Sequence, residues 1–393
     1  MCTFLTLSFV APTAALAAVR YVKPTGPDSN DCSTWSNACS LGTALTSPPS
    51  GDEIWVQAGT YTPGAAAFEM TSGVKIIGGF SGAETAASQS NPAMNQTILD
   101  GAGTKQCITH TNPDPGQPAP VLRGFTLRNG RDTDDEGGAM LLENSDAHIV
   151  QCIFEENSAT HFGGAVSIRG VGSPRFVNCI FRKNGTSAAN PRDTKGGGAV
   201  YVRDGTPFFV NCLFHNNQAG DGGALITREG LPTLMNCTLA DNRAVFGRGA
   251  AIFDQEGRVT IENCIVWNNT RDPDGPNGPK PVVVDPDQIF GGSGGRSIAS
   301  YSDIQGGWEG ANLLNVDPLF VDSAAANYAL QITSPCKNAG LTVPIDTVDL
   351  DWDTNTNEPL PKDLGLLPRV RLGAIDLGVF EIFSDSPPGG GEG

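Results

Sequence analysis

Residues 151–157 read QCIFEEN, 178–184 NCIFRKN, 211–217 NCLFHNN, 236–242 NCTLADN and 263–269 NCIVWNN. Their cysteines, Cys152, Cys179, Cys212, Cys237 and Cys264, lie 27, 33, 25 and 27 residues apart. Five residues after each stands Asn157, Asn184, Asn217, Asn242 or Asn269. Gly-Gly-Ala runs begin at Gly163, Gly197 and Gly222; GGAM from Gly137 precedes the series, and RGAA from Arg248 is its degraded member. Fixed offsets of this kind mark one structural unit used repeatedly. Alternation puts Met140 and Leu142 on one side of a strand, and likewise Val166 with Ile168 and Val200 with Val202. A period of 25 to 33 residues is too short for a propeller blade of roughly 40 or more, and regular Leu spacing is absent. The pattern predicts an all-β chain: a right-handed parallel β-helix of about ten coils, three short strands to a coil.

Stacking places equal positions in columns ~4.8 Å apart. A cysteine column then fills interior space as small hydrophobes, with free thiols. An asparagine column at a tight turn bonds its amides along the stack. Glycine pairs let the chain bend or approach closely. These residues read as structural first.

Coils extend both ways. DEIWVQAGTY from Asp52, VKIIGGF from Val74, QTILDG from Gln96 and VLRGFTLRNG from Val121 precede the clear series. Residues 40–46 predict a short helix capping the N-terminal end, where an open coil would expose core and an unpaired edge. Residues 270–297, rich in Pro, Gly and Asp, predict a long excursion. A single domain over 19–381 is expected, with a C-terminal cap at 340–381 on the last coil and a disordered tail at 382–393.

Residues 4–18 are apolar, and Ala15-Leu16-Ala17 resembles a signal-peptidase site. Residues 1–18 therefore predict a signal peptide, and a secreted or cell-surface protein; a buried first strand is the alternative. No later run reaches the ~18 apolar residues of a membrane span. In an oxidising compartment Cys32 and Cys39, flanking DCSTWSNAC, predict a disulfide. With 25 Lys plus Arg against 42 Asp plus Glu, the net charge is −17. That disfavours nucleic acid and anionic membrane as partners. Four histidines without a paired Cys/His cluster argue against zinc. The chain is expected to be a monomer.

Two families resemble these residues. GGA[VILM] alternating with [FL]xxN, as in Phe154 to Asn157, Phe181 to Asn184, Phe214 to Asn217 and Leu239 to Asn242, resembles the repeats of chlamydial-type polymorphic outer-membrane proteins. That resemblance implies a surface passenger-like module involved in adhesion. IWVQAGTY, DPLFVD, SPCKNAG and GAIDLGVFE resemble secreted bacterial right-handed β-helix proteins of the pectate-lyase-like superfamily. This second resemblance implies a polysaccharide or cell-surface glycan as partner and either a lyase or a glycoside hydrolase. The Gly-His-Gly and Arg-Ile-Lys elements of polygalacturonases are absent.

The loops between the asparagine turn and the glycine pair share a place in each coil, so they line up on one side. They carry Asp132, Asp134, Asp135 and Glu136, then His161, then Arg192, Asp193 and Lys195, then Asp221, Arg243 and Arg248. An acidic cluster beside cations is what a uronate lyase needs. Ca²⁺ held by Asp132, Asp134, Asp135, Glu136 and Asp193 would bridge a substrate carboxylate, and Lys195, Arg248 or His161 would take the α-proton. Asp134 or Asp135 paired with Asp221 would instead serve a hydrolase. Arg192, Arg243 and Trp308 are the substrate-binding candidates, Trp308 for its glycine-flanked ring. Asp274, Asp285, Asp287 and the run Asp351 to Asn357 form further acidic stretches. His110 and His215 are isolated, with His215 pointing outward. A solvated acidic loop with scattered ion pairs is the plain alternative for the whole cluster.

Overall fold

The computed structural model describes residues 17–112, 116–132, 136–187, 196–245, 247–272, 283–284, 287–292, 294–342, 362–369 and 374–382. The expected signal peptide, save its last two residues, and the tail from 383 onward lie outside the described residues. So do residues 273–282, 285–286 and 293 of the 270–297 excursion.

One coil winds through His148–Val150, Ile153–Glu155, Ser158–Ala159 and Val166–Gly170, and the next begins at Arg175–Val177. Each strand pairs in parallel with its counterpart one coil on: Ile149 with Phe176, Phe154 with Phe181, Ser158 with Gly185, Ile168 with Val202. We number the resulting sheets 1 to 4 in that order. Among the described residues they hold eleven, nine, seven and eight strands. This is a right-handed parallel β-helix, as the repeat predicted. The coil carries four strands rather than three, because the segment after each ladder asparagine is itself a two-residue strand. There Ala159, Ala219 and Ala244 point inward and are buried, small enough for the chain to turn the corner.

The columns are real. Phe154, Phe181 and Phe214 stack with ring centroids 4.8 and 4.6 Å apart, and Phe176 stacks on Phe209 at 4.9 Å. Each such buried ring contributes roughly 1.5–3 kcal/mol. Cys152, Cys179, Cys212, Cys237 and Cys264 are buried free thiols, with Cys107 and Cys336. Cys179 Sγ donates to the carbonyls of Val177 and Ile149, each at 3.4 Å. Burial pushes the Cys152 thiol up, and all of these sulfurs are packed away from solvent, as structural cysteines are. Asn184 Nδ2 donates to Asn217 Oδ1 (3.0 Å) and to the Phe154 carbonyl (2.9 Å), while its Oδ1 accepts from the backbone N–H and Nδ2 of Asn157. The ladder ends on Gln288, whose Oε1 accepts from Asn269 Nδ2 at 2.7 Å.

The other asparagine of each repeat has a different task. Asn178, Asn211, Asn236 and Asn263, at the corner between sheets 1 and 2, have φ of 52 to 55°, a left-handed conformation that asparagine tolerates better than most residues. Gly163 has φ +62°, and a Cβ there would lie 2.2 Å from the Val166 carbonyl oxygen. Both facts require glycine at the first position of the Gly-Gly-Ala turn.

The N-terminal end is closed by the helix Leu41–Ala44, whose N-cap Ser40 accepts the Thr43 N–H at 3.2 Å. Leu41 and Ala44 join the core. The Cys32–Cys39 disulfide is formed beside it. Trp308 and Leu313 pack on the main core, downstream of its last strands. Of the expected C-terminal cap at 340–381, residues 343–361 and 370–373 lie outside the described residues. Its described part lies along the outer face of sheet 2. Val379 and Tyr328 pack with Leu213 and Ala240, and Leu377 and Leu330 with Ile265 and Cys336. The reason is apolar surface: Leu213 and Ile265 point outward from sheet 2 and are buried only because this segment covers them.

Candidate functional site

The glycine-pair turns bring Glu136, Phe162, Gly196 and Asp221 into one column, joined rung to rung by isolated parallel bridges. Arg248 follows one coil later, where its carbonyl accepts the Gly222 N–H. The sequence-predicted side is therefore a contiguous strip beside sheet 4. Asp134, Asp135, Arg192, Asp193, Lys195, Asp274, Asp285 and the run 351–357 lie outside the described residues.

The described members are engaged with one another. Arg248 forks onto Asp221, Nε to Oδ1 at 3.1 Å and Nη2 to Oδ2 at 2.6 Å, and its guanidinium lies 4.7 Å from the Phe253 ring centroid. The Asp221 side chain is only 4% exposed, so this is a strong bidentate pair. Arg243 Nη2 pairs with Asp272 at 3.2 Å. Asp132 Oδ2 accepts the Glu136 backbone N–H at 2.7 Å. Glu136 Oε2 accepts from Ser167 Oγ at 2.9 Å and faces Arg169 Nε at 3.6 Å. His161 sits beside Phe162, centroids 6.4 Å apart.

Among the described residues no three His, Cys, Asp or Glu side chains converge as a metal site. Asp132 and Glu136 are two oxygen donors, both already hydrogen-bonded, and Ca²⁺ takes ~6–8 oxygens. The described residues alone do not build a Ca²⁺ site. Nor do they build a carboxylate pair for hydrolysis. Glu136 and Asp221 are three rungs apart, or ~14 Å at the strand spacing, against roughly 5–9.5 Å for such pairs.

Trp308, His215 and His110 are each in contact with other parts of the chain. Trp308 is half-buried, with part of its ring packed on the core. His215 points outward but is covered by Tyr328, centroids 5.2 Å apart, and its pKa is pushed down to about 4 by burial, with Arg182 and Lys183 adding. His110 faces inward between two hydroxyls, Nδ1 to Ser145 Oγ at 2.7 Å and Nε2 to Ser72 Oγ at 3.2 Å.

The residues missed are on the outer face of sheet 4. Val166–Gly170 and Val200–Asp204 align Arg169 with Arg203, and Val202 aligns with Thr227, which puts Arg228 on the next rung. Three arginines thus stand in successive coils, ~4.8 Å apart. Arg203 is 54% exposed, and its nearest carboxylate is its neighbour Asp204 at 3.7 Å. Arg228 is exposed, with no ion-pair partner among the described residues. Beside them runs a column of Ser167, Tyr201, Ile226, Phe253 and Phe290. Phe162 stacks on Tyr201 at 4.5 Å. Burial, then Glu136, pushes the Tyr201 phenol up to about 12, so it stays a hydrogen-bonding neutral ring. The signal was in the sequence: each arginine is the fourth residue after the alanine of Gly-Gly-Ala.

No curated protein sequence matches the chain. Among solved structures it is similar to a pectate lyase, Pel9A, at 14% identity over 93% of this chain and 97% of that one, TM-score 0.49. It is also similar to a rhamnogalacturonan lyase at 13% identity over 81% of this chain and 96% of that one, TM-score 0.37. At such identities the likeness concerns the fold. Residues 121–304 match the family model described as a right handed beta helix region, and by fold the protein is a right-handed parallel β-helix similar to that family over its central coils.

Proposed function

We propose that the protein is a secreted or cell-surface β-helix that binds a uronate-containing polysaccharide along the outer face of sheet 4. The observation that carries this is the register of Arg169, Arg203 and Arg228. A chain of net charge −17 repels an anionic ligand unless a local basic strip intervenes, and this is such a strip. Its rung spacing is near the length of one sugar residue, so successive carboxylates meet successive guanidinium groups, which suit planar carboxylates. The Cys32–Cys39 disulfide supports an oxidising compartment.

The finer reading is β-elimination. The arginines would hold the substrate carboxylate and stabilise charge developing beside it. His161 would be the α-proton acceptor among the described candidates, since Asp221 holds Arg248. Lys195 and a Ca²⁺ carried by the acidic loops are the other parts of that reading. A non-catalytic adhesion module is the second reading. It is favoured by the engagement of Asp221, Arg248, Arg243 and Asp272 in intramolecular pairs.

The test is calorimetric titration with polygalacturonate and with a neutral glucan, each with Ca²⁺ and with chelator. Ultraviolet absorbance of unsaturated product and reducing ends are followed in parallel. Salt-sensitive binding of polygalacturonate alone is expected. Unsaturated product selects the lyase, and binding without product selects the module. Equal binding of the neutral glucan would overturn the proposal.

A further inference from the structure

A second groove lies on the opposite coil face, over sheet 2. Thr126, Ile153 and Ile180, on successive rungs, form its floor. Ser90 to Ala93 form one wall, and Leu364 and Leu366 the other; its volume is about 570 Å³. Arg123 is its single charged lining residue, and Arg123 Nε donates to Gln151 Oε1 at 3.1 Å. Leu366 is 52% exposed at the rim.

The corner asparagines say what the groove takes. Asn263 clamps the backbone of one residue on both sides: Nδ2 donates to the Leu341 carbonyl and Oδ1 accepts the Leu341 N–H, each at 2.8 Å. Asn211 Nδ2 donates to the Lys362 carbonyl at 2.7 Å. The chain's own C-terminal segment is thus seated along this column. Asn178 is the next member, one coil beyond Asn211, with the same left-handed φ of 54°. It is 4% exposed and lines the groove, yet neither Nδ2 nor Oδ1 has a hydrogen-bond partner among the described residues. A buried amide left so costs roughly 1–3 kcal/mol for each unmade bond, which a suitable ligand would recover.

We propose that this groove binds an extended polypeptide segment of a partner protein. Asn178 would hold the backbone of one of its residues as Asn263 holds Leu341, and apolar side chains would rest on Ile153, Ile180 and Leu364. A polypeptide fits better than a glycan for three reasons. The same column clamps polypeptide at two corners, Asn211 and Asn263, although Asn236 between them is buried with no hydrogen-bond partner for its amide among the described residues; Asn178 differs from it in lining an open groove. Two of the three floor residues, Ile153 and Ile180, are aliphatic. The one lining aromatic, Phe125, is 1% exposed and faces the core, so no ring is offered for sugar stacking.

The probe is a fluorescein-labelled octapeptide copying residues 337–344, KNAGLTVP, which contains the clamped Leu341. It is titrated onto the full chain by fluorescence polarisation, with cellohexaose as a competing arm. Asn178→Gly removes the amide while keeping a residue at ease with positive φ, and Ile180→Gln alters the floor. Saturable binding is expected, weakened about tenfold in each variant, by the loss of one or two hydrogen bonds in Asn178→Gly and of apolar contact in Ile180→Gln. Thermal melts establish that both variants remain folded. Absence of binding, or equal binding by wild type and Asn178→Gly, overturns the proposal. So does displacement of the peptide by cellohexaose, which would make the groove a sugar site.

Discussion

Two outer faces of the helix carry charged columns built by the same geometry and used differently. On sheet 2 the column runs Asp100, Arg128, Glu155, Arg182, His215. Its signs alternate, and it zips into pairs: Arg128 Nε to Asp100 at 2.9 Å, Arg182 Nε to Glu155 at 2.9 Å. On sheet 4 the column runs Glu143, Arg169, Arg203, Arg228. Arg169 pairs with Glu143 at 4.0 Å, and two more arginines, Arg203 and Arg228, follow it in succession. Directly opposed like charges destabilise a sheet, and opposite ones stabilise it by roughly 0.2–1 kcal/mol. Folding therefore accounts for the sheet 2 column and, in part, for Arg169 and Arg203, which face Glu136, Glu143 and Asp204; Arg228 has no ion-pair partner among the described residues, and the three arginines outnumber the opposite charges in their own column. An anionic ligand would supply the missing counter-charge.

The largest expected effect is on binding. Reversing Arg169, Arg203 and Arg228 to Glu should weaken polygalacturonate binding by at least ~100-fold at low salt, while reversing Arg128 and Arg182 should change it by less than about threefold. Calorimetric titration at two ionic strengths checks both arms. A larger loss from the sheet 2 pair would break the comparison.

Next is a pH effect at the covered end of the sheet 2 column. The His215 pKa falls from 6.5 to about 4 in the folded protein. The unfolded chain therefore binds the proton first, so this contribution is intact above pH ~6.5 and is lost as pH drops toward ~4, by up to ~3 kcal/mol. Asp303 works the other way: burial raises its pKa to about 6, so it favours the folded state as pH falls below that value. Urea midpoints at several pH values should show His215→Gln less acid-sensitive than wild type. An unchanged pH profile would remove His215 from the account.

Two smaller predictions are mirror images. Glu155→Arg makes three successive arginines on sheet 2 and should cost roughly 1–2 kcal/mol, lowering the urea midpoint without altering glycan binding. Arg203→Glu makes the sheet 4 column alternate. It should stabilise the fold by about 0.5 kcal/mol while weakening glycan binding. If Arg203→Glu destabilises the protein, the column is structural and the comparison fails.

What could be read in advance follows from the repeat. Cys179, Asn184 and Gly163 recur at fixed offsets because stacked coils force equal positions into one environment, so their roles were legible. The arginine strip was equally legible by offset, but the eye goes to acidic loops, and those loops fall largely outside the described residues. Asp221 and Arg248 are 27 residues apart, one coil. Their pairing could be inferred from register, yet which rotamers meet depends on Phe253 beneath the guanidinium. The two asparagines of NCIFRKN looked alike. Only the backbone distinguishes Asn178, at a left-handed corner, from Asn184, inside the ladder.

By itself the amino-acid sequence determined the solenoid, its strand faces, its interior columns and the disulfide partners, since each depends on local period and offset. The tertiary structure alone decided which outer faces are open. The C-terminal segment has no repeat to align, so nothing local could place it along sheet 2 rather than on the last coil. Its seat was chosen by the apolar residues Leu213 and Ile265 that needed covering and by the amides of Asn211 and Asn263 that needed partners. Leu364 and Leu366 of the same segment form one wall of the second groove beside Asn178. Burial and amide pairing between distant residues, rather than any motif, made that surface.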